Sequence, residues 1–266
     1  MEKIAKLIRI PIRIGLFLAV AGIYFISAFW IYFTVKGEVI RRRRFSNNAA
    51  KYTKWICELY NIKMEVHNFP DNDEPGLIVG NHMGFIDILV MHSLTKALFI
   101  TSQEMRSTPL LGPITEMAGC MFVERRNKSN IMGELRNIVS TLNDGFRVTL
   151  YPEATSHNGE EILPFKRTLI SSAALAGKAI FPYCFNFKSI NGEPFSMKYR
   201  DCVCWYGDMN FFPSFVRSIS LKEVVCEVIF LEPYYAKPDE DRAAVADEIR
   251  RRIVEKFKPV IKDSSS

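Results

Sequence analysis

His82 and Asp87 are the residues of this 266-residue chain whose types and spacing could do chemistry. They sit in the stretch Gly80-Asn81-His82-Met83-Gly84-Phe85-Ile86-Asp87. Five positions apart, they cannot share one face of a helix. They meet if His82 lies in a turn and Asp87 in the first turn of the helix that follows. A carboxylate against an imidazole fixes its tautomer and stabilises the imidazolium, as a general base near neutral pH requires. The plainer alternative is a turn histidine that caps the next helix. The short apolar run Leu77–Val79 before the stretch reads as a buried strand, and Ile86–Leu94 after it as a helix starting near Asp87. Strand-to-helix junctions are where open α/β sheets place their working residues.

Other chemistries lack their residues. There is no G-x-S-x-G nucleophile elbow, P-loop or G-x-G-x-x-G loop. No H-E-x-x-H spacing exists, and His67, His92 and His157 read as surface or helix-face residues, so no metal is expected. Cys57, Cys120, Cys184, Cys202, Cys204 and Cys226 show no C-x-x-C spacing and read as reduced core thiols of a cytosol-facing domain. With 48% hydrophobic and 24% charged residues the chain is globular, and its net charge of +6 points to an anionic partner.

The elements around the junction follow from periodicity. Met1–Arg13 is a basic leader, and Ile14–Val35 runs 22 residues without a charge. As a helix that run is about 33 Å long, enough to cross a hydrocarbon core of ~30 Å. A re-entrant or in-plane hairpin is the alternative. Lys36, Arg41, Arg42, Arg43, Arg44, Lys51 and Lys54 follow it. This excess predicts a cytosolic main domain on the inner, cytoplasmic membrane, with anionic headgroups rather than nucleic acid against the arginines. Ser46–Tyr60 carries Tyr52, Trp55, Ile56 and Leu59 at helical spacing and reads as an amphipathic helix. The polar loop Asn68–Gly76 marks the boundary, giving an anchor region over 1–66 and a catalytic domain over 67–266.

Beyond Gly76, strands are expected at Leu77–Val79, Ala97–Ile100, Cys120–Val123, Val148–Tyr151, Ile180–Phe187, Asp201–Trp205 and Val224–Leu231. Helices are expected at Ile86–Leu94, Met132–Leu142, Thr168–Ala176 and Val245–Phe257, and Gly145 is placed to end the second of them. The alternation predicts an α/β fold, a mixed sheet flanked by helices.

Three further stretches stand at strand ends: Gly119-Cys120-Met121-Phe122-Val123-Glu124-Arg125, Tyr151-Pro152-Glu153-Ala154-Thr155, and Ile180-Phe181-Pro182-Tyr183. With Asn81-His82-x-x-x-x-Asp87 they resemble the four ordered motifs of the glycerolipid acyltransferases, typified by 1-acylglycerol-3-phosphate acyltransferase. The resemblance covers Gly76–Phe187, with a weaker echo at Trp205-Tyr206-Gly207-Asp208. It implies the glycerol-3-phosphate acyltransferase-type sheet, His82 as catalytic base and Asp87 as its orienting carboxylate. Asn81, Arg125, Glu153, Thr155 and Lys166 would then line the acceptor site, Arg125 on its phosphate.

The sequence departs from the pattern where the motif's glycine is Ala154 and its arginine Ser156. A lost guanidinium removes an anion-binding fork, which Lys166 and Arg167 could replace as point charges. Ile162-Leu163-Pro164-Phe165-Lys166 is similar to the L-P-F-K variant of bacterial members acting on assorted lysolipids, including lyso-ornithine lipid. The reading is an O-acyltransferase on the membrane, taking acyl groups from acyl-CoA or acyl carrier protein as co-substrate, with no cofactor, to a lysophospholipid-like acceptor. A non-catalytic lipid- or acyl-carrier-binding protein and an acyl thioesterase are the alternatives.

Overall fold

A computed structural model of the chain describes residues 2–70, 74–108, 111–124 and 131–261, with side chains from residue 7 onward. The uncharged run forms the outer part of one long helix, α1 (Glu2–Thr34), which turns at Gly37 (φ 86°) into α2 (Glu38–Leu59). The two pack as a hairpin. Tyr24 meets Tyr52 edge-on at 5.5 Å, and the Asn48 amide donates to the Ser27 hydroxyl at 2.9 Å. Over Leu7–Thr34 α1 is long and apolar enough to cross a membrane, and Ile26, Phe29, Trp30 and Phe33 stand between 50% and 77% exposed.

The arginine run is divided. Arg42 and Arg43 lie over the Phe146 ring, and Arg43 donates to the carbonyls of Asp144 and Gly145. These two thus pin α2 to the carbonyl end of α6 (Ile131–Asn143), where a cation is favoured. Arg41 covers Tyr32, and Arg44 is exposed.

The sheet contains β1 (Ile62–His67), β2 (Gly76–Gly80), β3 (Leu98–Ser102), β4 (Met121–Val123), β5 (Arg147–Leu150), β6 (Ala179–Ile190) and β8 (Val224–Phe230), in the order β1-β8-β6-β2-β5-β3-β4. A short β7 (Glu193–Pro194) pairs with β6. The sheet is mixed: β6 runs antiparallel to β8, while β2 runs parallel to both β5 and β6. Residues on β2 and β6 alternate between two apolar layers, as central strands must. Ile78, Phe181, Tyr183 and Phe185 face α2, α3 (Phe85–Thr95) and α10 (Phe211–Ile219). Leu77, Val79, Ile180 and Cys184 face α6 and α11 (Arg242–Val254). The remaining helices are α4 (Gln103–Arg106), α5 (Leu111–Met117), α7 (Arg167–Ile170), α8 (Ser172–Leu175) and α9 (Met197–Val203).

Several expectations need correction. The boundary expected after residue 66 falls inside β1, which pairs in parallel with β8 from Ile62↔Val224 to His67↔Ile229. The sheet therefore draws its edge strand from the N-terminal region. Asp201–Trp205 is not a strand: α9 ends in it, and both flanks of β6 are already taken by β2 and β8. A short apolar run does not choose between helix and strand until its neighbours are fixed. The helix expected over Thr168–Ala176 breaks at Ser171 into α7 and α8. Gly145 ends α6 as expected, at φ 82°, with its N–H donating to Leu142 O and that of Phe146 to Thr141 O.

Candidate active site

The site stands where β2 and β5 end side by side. Gly80 is the last residue of β2, and a Cβ there would fall 2.2–2.6 Å from the Tyr183 ring, so only glycine lets β6 approach. Asn81 is fully buried. Its Oδ1 accepts the Phe185 N–H (2.8 Å) and its Nδ2 donates to Phe185 O (3.0 Å), which ties the end of β2 to β6. The chain then leaves the sheet at His82 and enters α3, whose first turn carries Asp87.

Asp87 is fully buried, and its carboxylate faces three donors. Oδ2 accepts the N–H groups of Met83 (2.6 Å) and Gly84 (2.9 Å), and His82 Nδ1 lies 3.0 and 3.1 Å from the two oxygens. With Nδ1 donating to the carboxylate, the lone pair of the neutral ring is on Nε2. Nε2 has no protein partner among the described residues, and the His82 side chain keeps 14% of its surface exposed. Tyr151, from the end of β5, stacks on the imidazole at 4.2 Å and 19°. Burial first, then the Asp87 charge, holds the hydroxyls of Tyr151 and Tyr183 in the protonated form.

The backbone of His82 is fixed from both sides. Glu153 Oε1 accepts its N–H at 2.8 Å, while Oε2 accepts the Leu163 N–H at 2.7 Å. The N–H of His157 donates to His82 O at 2.9 Å. Burial pushes the Glu153 carboxyl up to about 8 against the pull of those two amides, and pushes the His157 imidazole down to about 4. His157 Nδ1 accepts the Gly159 N–H at 3.0 Å, which leaves the ring proton on Nε2, 3.9 Å from Glu153 Oε2. The Ser156 hydroxyl donates to Trp205 O, and the Trp205 N–H to Met83 O at 2.8 Å. The segment after α9 thereby closes one wall of the site.

An imidazole backed by a carboxylate, with its second nitrogen outward, is equipped to take a proton from a hydroxyl. Residues 61–186 match the acyltransferase family model. Over 184 residues the chain is 30% identical to the 1-acyl-sn-glycerol-3-phosphate acyltransferase of Neisseria gonorrhoeae, covering 69% of this chain and 70% of that protein. The chain belongs to the acyltransferase family. It is also 28% identical over 214 residues to the lyso-ornithine lipid O-acyltransferase of Rhizobium meliloti, covering 78% of this chain and 72% of that one. The fold is that of the 1-acyl-sn-glycerophosphate acyltransferase PlsC from Thermotoga maritima, with a TM-score of 0.68 at 17% identity over 96% of this chain and 97% of the other. The protein is an acyltransferase.

Within the acyltransferase, the expected site residues separate by what they touch. His82 and Asp87 come together. Asn81 and Glu153, expected to line the acceptor site, are buried with both polar ends engaged by backbone, so they hold the loop in place. Thr155 is exposed beside the site. Lys166 is exposed as well, and its N–H donates to Pro152 O at 2.7 Å, which places it against the strand end that carries Glu153. Arg125 lies outside the described residues. Ala154, in place of the motif's glycine, adopts φ 61°, the left-handed region that disfavours a Cβ.

Sequence reasoning gave no role to Tyr151 or Trp205. The signal for Tyr151 was its place at the head of the third motif stretch, and for Trp205 the weaker family echo that begins with it. Among the described residues, Glu65, His67 and Glu227 bring three ligand atoms within 4.8 Å at the β1 edge of the sheet. Lys188 and Lys258 already pair with the two carboxylates, at 2.8 and 2.6 Å, so cations of the chain itself hold that place.

Proposed function

We propose that the enzyme transfers a fatty acyl group from an acyl thioester, on coenzyme A or on acyl carrier protein, to the free hydroxyl of a lysolipid, with His82 as general base. The thioester is already activated, so no enzyme nucleophile, metal or cofactor is required. His82 Nε2 takes the acceptor's hydroxyl proton as its oxygen attacks the thioester carbonyl. The imidazolium so formed is held by Asp87, and when the tetrahedral intermediate collapses the same proton goes to the departing thiolate. The observation that carries this reading is the Nδ1 contact with both Asp87 oxygens, which turns Nε2 outward where β2 and β5 end.

Ser156 in the arginine position leaves Lys166 and Arg167 as the exposed cations nearest the third motif. They are point charges rather than a fork, suited to a headgroup held by charge and not by bidentate phosphate geometry. The relatives include enzymes named for lysophosphatidic acid-type and for lyso-ornithine acceptors, and this site fits a lysolipid acceptor of either kind.

For the membrane, the geometry favours re-entrance of α1 over crossing. Tyr24 donates to Ile114 O in α5, and beyond it α2 stays beside α1 through Ser27 and through Arg41 on Tyr32 near the hairpin tip, so the apolar run is one arm of a hairpin and does not stand alone. The catalytic domain is read as cytosolic from the basic excess after Val35.

The test is acyl transfer by the purified protein with a panel of lysolipids and both kinds of thioester, read by lipid mass spectrometry, with His82→Ala alongside. The expected loss in His82→Ala is about 10²–10⁴-fold. Full transfer by that variant refutes the base assignment.

A further inference from the structure

Helix α10 is not used by the chemistry, yet it is built to meet something apolar. Its carbonyl end is gripped by α1: Arg13 donates to Ile219 O at 2.9 Å and to Leu221 O, and Arg9 to Ser220 O at 2.9 Å. One turn back along α10, Phe215 packs on Phe17 of α1 at 5.1 Å. The helices are therefore antiparallel, and continuing that register brings Phe212 level with Val20. From there α1 runs on past Ile26, Trp30 and Phe33, exposed at 72%, 72% and 77%.

The amino-terminal turn of α10 thus points the same way as the carboxyl-terminal half of α1, and it presents Phe212 to solvent at 67% exposure with Pro213 beside it. Behind Phe212 an aromatic path leads inward. Phe211 stacks on Phe215 at 5.8 Å and meets Trp205 at 5.9 Å and Phe85 at 6.0 Å. Phe85 is the first residue of α3, three positions after His82, and the Trp205 backbone is bonded to Met83.

We propose that the amino-terminal turn of α10 is a second membrane-seating element: Phe212 inserts into the bilayer surface beside α1, and the lysolipid reaches His82 across the Phe211–Phe85–Trp205 edge. This rests on the lysolipid acceptor proposed above. The occupant is a lipid surface because the exposed ring continues the apolar face of α1, with Arg217 on the same helix exposed for anionic headgroups. An acceptor whose tail stays in the leaflet then moves only its headgroup end to the base, along rings that cover the leaving chain.

Two measurements on the full chain test this. Hydrogen exchange with and without phosphatidylglycerol vesicles needs no activity: residues 208–213 gain protection on vesicles together with α1. Protection of α1 alone overturns the proposal, as does protection of 208–213 that depends on protein concentration in the absence of vesicles, which would place a second copy there. The second is kinetic. For Phe212→Asp the KM for a long-chain lysolipid in vesicles rises about tenfold, the ratio that matches partial burial of one phenyl ring. The kcat/KM for a short-chain, water-soluble lysolipid stays within about twofold, and Phe212→Trp restores the long-chain KM. Equal losses on both acceptors, or none on either, overturn the seating role. If the unmodified protein acylates neither acceptor, the transfer reading fails instead, and the exchange result still decides this one.

Discussion

Replacing Asp87 by asparagine separates orientation of the base from its mere presence. The carboxylate faces Met83 N, Gly84 N and His82 Nδ1 in full burial. An asparagine of the same shape can turn its oxygen to the two backbone amides, which leaves its NH2 against the imidazole. Nδ1 must then accept, the ring proton moves to Nε2, and the atom facing the substrate becomes a donor with no lone pair to offer. The fold loses the difference between charged and neutral hydrogen bonds at two amides, about 1–2 kcal/mol. The reaction loses its base and the counter-charge to the imidazolium, for which a carboxylate-to-amide change in a comparable triad costs about 10⁴-fold in kcat, or about 5.5 kcal/mol of barrier. The variant is therefore expected to remain folded, with kcat down by about 10³–10⁴-fold and a much smaller change in KM. The assay is steady-state transfer to a lysolipid, paired with urea unfolding of the same preparation. A folded Asp87→Asn enzyme that retains more than a tenth of wild-type kcat would show that the carboxylate serves the loop only, and the base assignment would fall with it.

Three other perturbations follow from the structure. Ala154→Gly relieves a left-handed backbone (φ 61°) at the cost of extra unfolded-state freedom, so a net stabilisation of about 0.5–1 kcal/mol is expected as a higher urea midpoint at unchanged slope; a lower midpoint refutes it. Gly80→Ala drives a Cβ into the Tyr183 ring, and a loss of about 3 kcal/mol or more is expected, with transfer activity falling as β2 and β6 separate; near-native stability would contradict the packing. His92 is buried against Phe99, and burial pushes its imidazole down to about 4 from the ordinary 6.5, with the Ser46 carbonyl partly opposing. The folded state thus favours neutral His92, so its contribution is complete above pH 6.5 and is lost as pH falls through 4, by about 3 kcal/mol in all. In His92→Phe that part of the acid limb disappears, and urea midpoints at pH 7.5 and 4.5 lie closer together than in wild type; an unchanged gap counts against it.

The contact between His82 and Asp87 was legible because everything it needs is local: an apolar strand, a five-residue spacing and a helix start. The central strands β2, β5 and β6 and the helices α3, α6 and α11 were legible for the same reason, since each carries its own periodicity. What was not legible depends on strand order. β1 is six residues of mixed polarity that become a strand only because β8 offers a free edge. Trp205 becomes a wall of the site through hydrogen bonds to Met83 and Ser156, and no spacing in the chain announces them.

Asn81 and Glu153 carry the same lesson further. A polar residue beside a catalytic one invites the inference that it touches substrate. Yet both are inside the protein, where a polar group must be satisfied by whatever lies within reach. For Asn81 that is the backbone of Phe185, because β6 flanks β2 on one side; for Glu153 it is the amide of His82, because β5 flanks it on the other. The two side chains therefore act through main chain, holding the end of β2 so that the imidazole can reach Asp87. Their loss should lower kcat by disordering His82 while leaving the acceptor's KM nearly unchanged. The exposed cations Lys166 and Arg167 should show the reverse, because among the described residues no carboxylate pairs with their charge and a headgroup would.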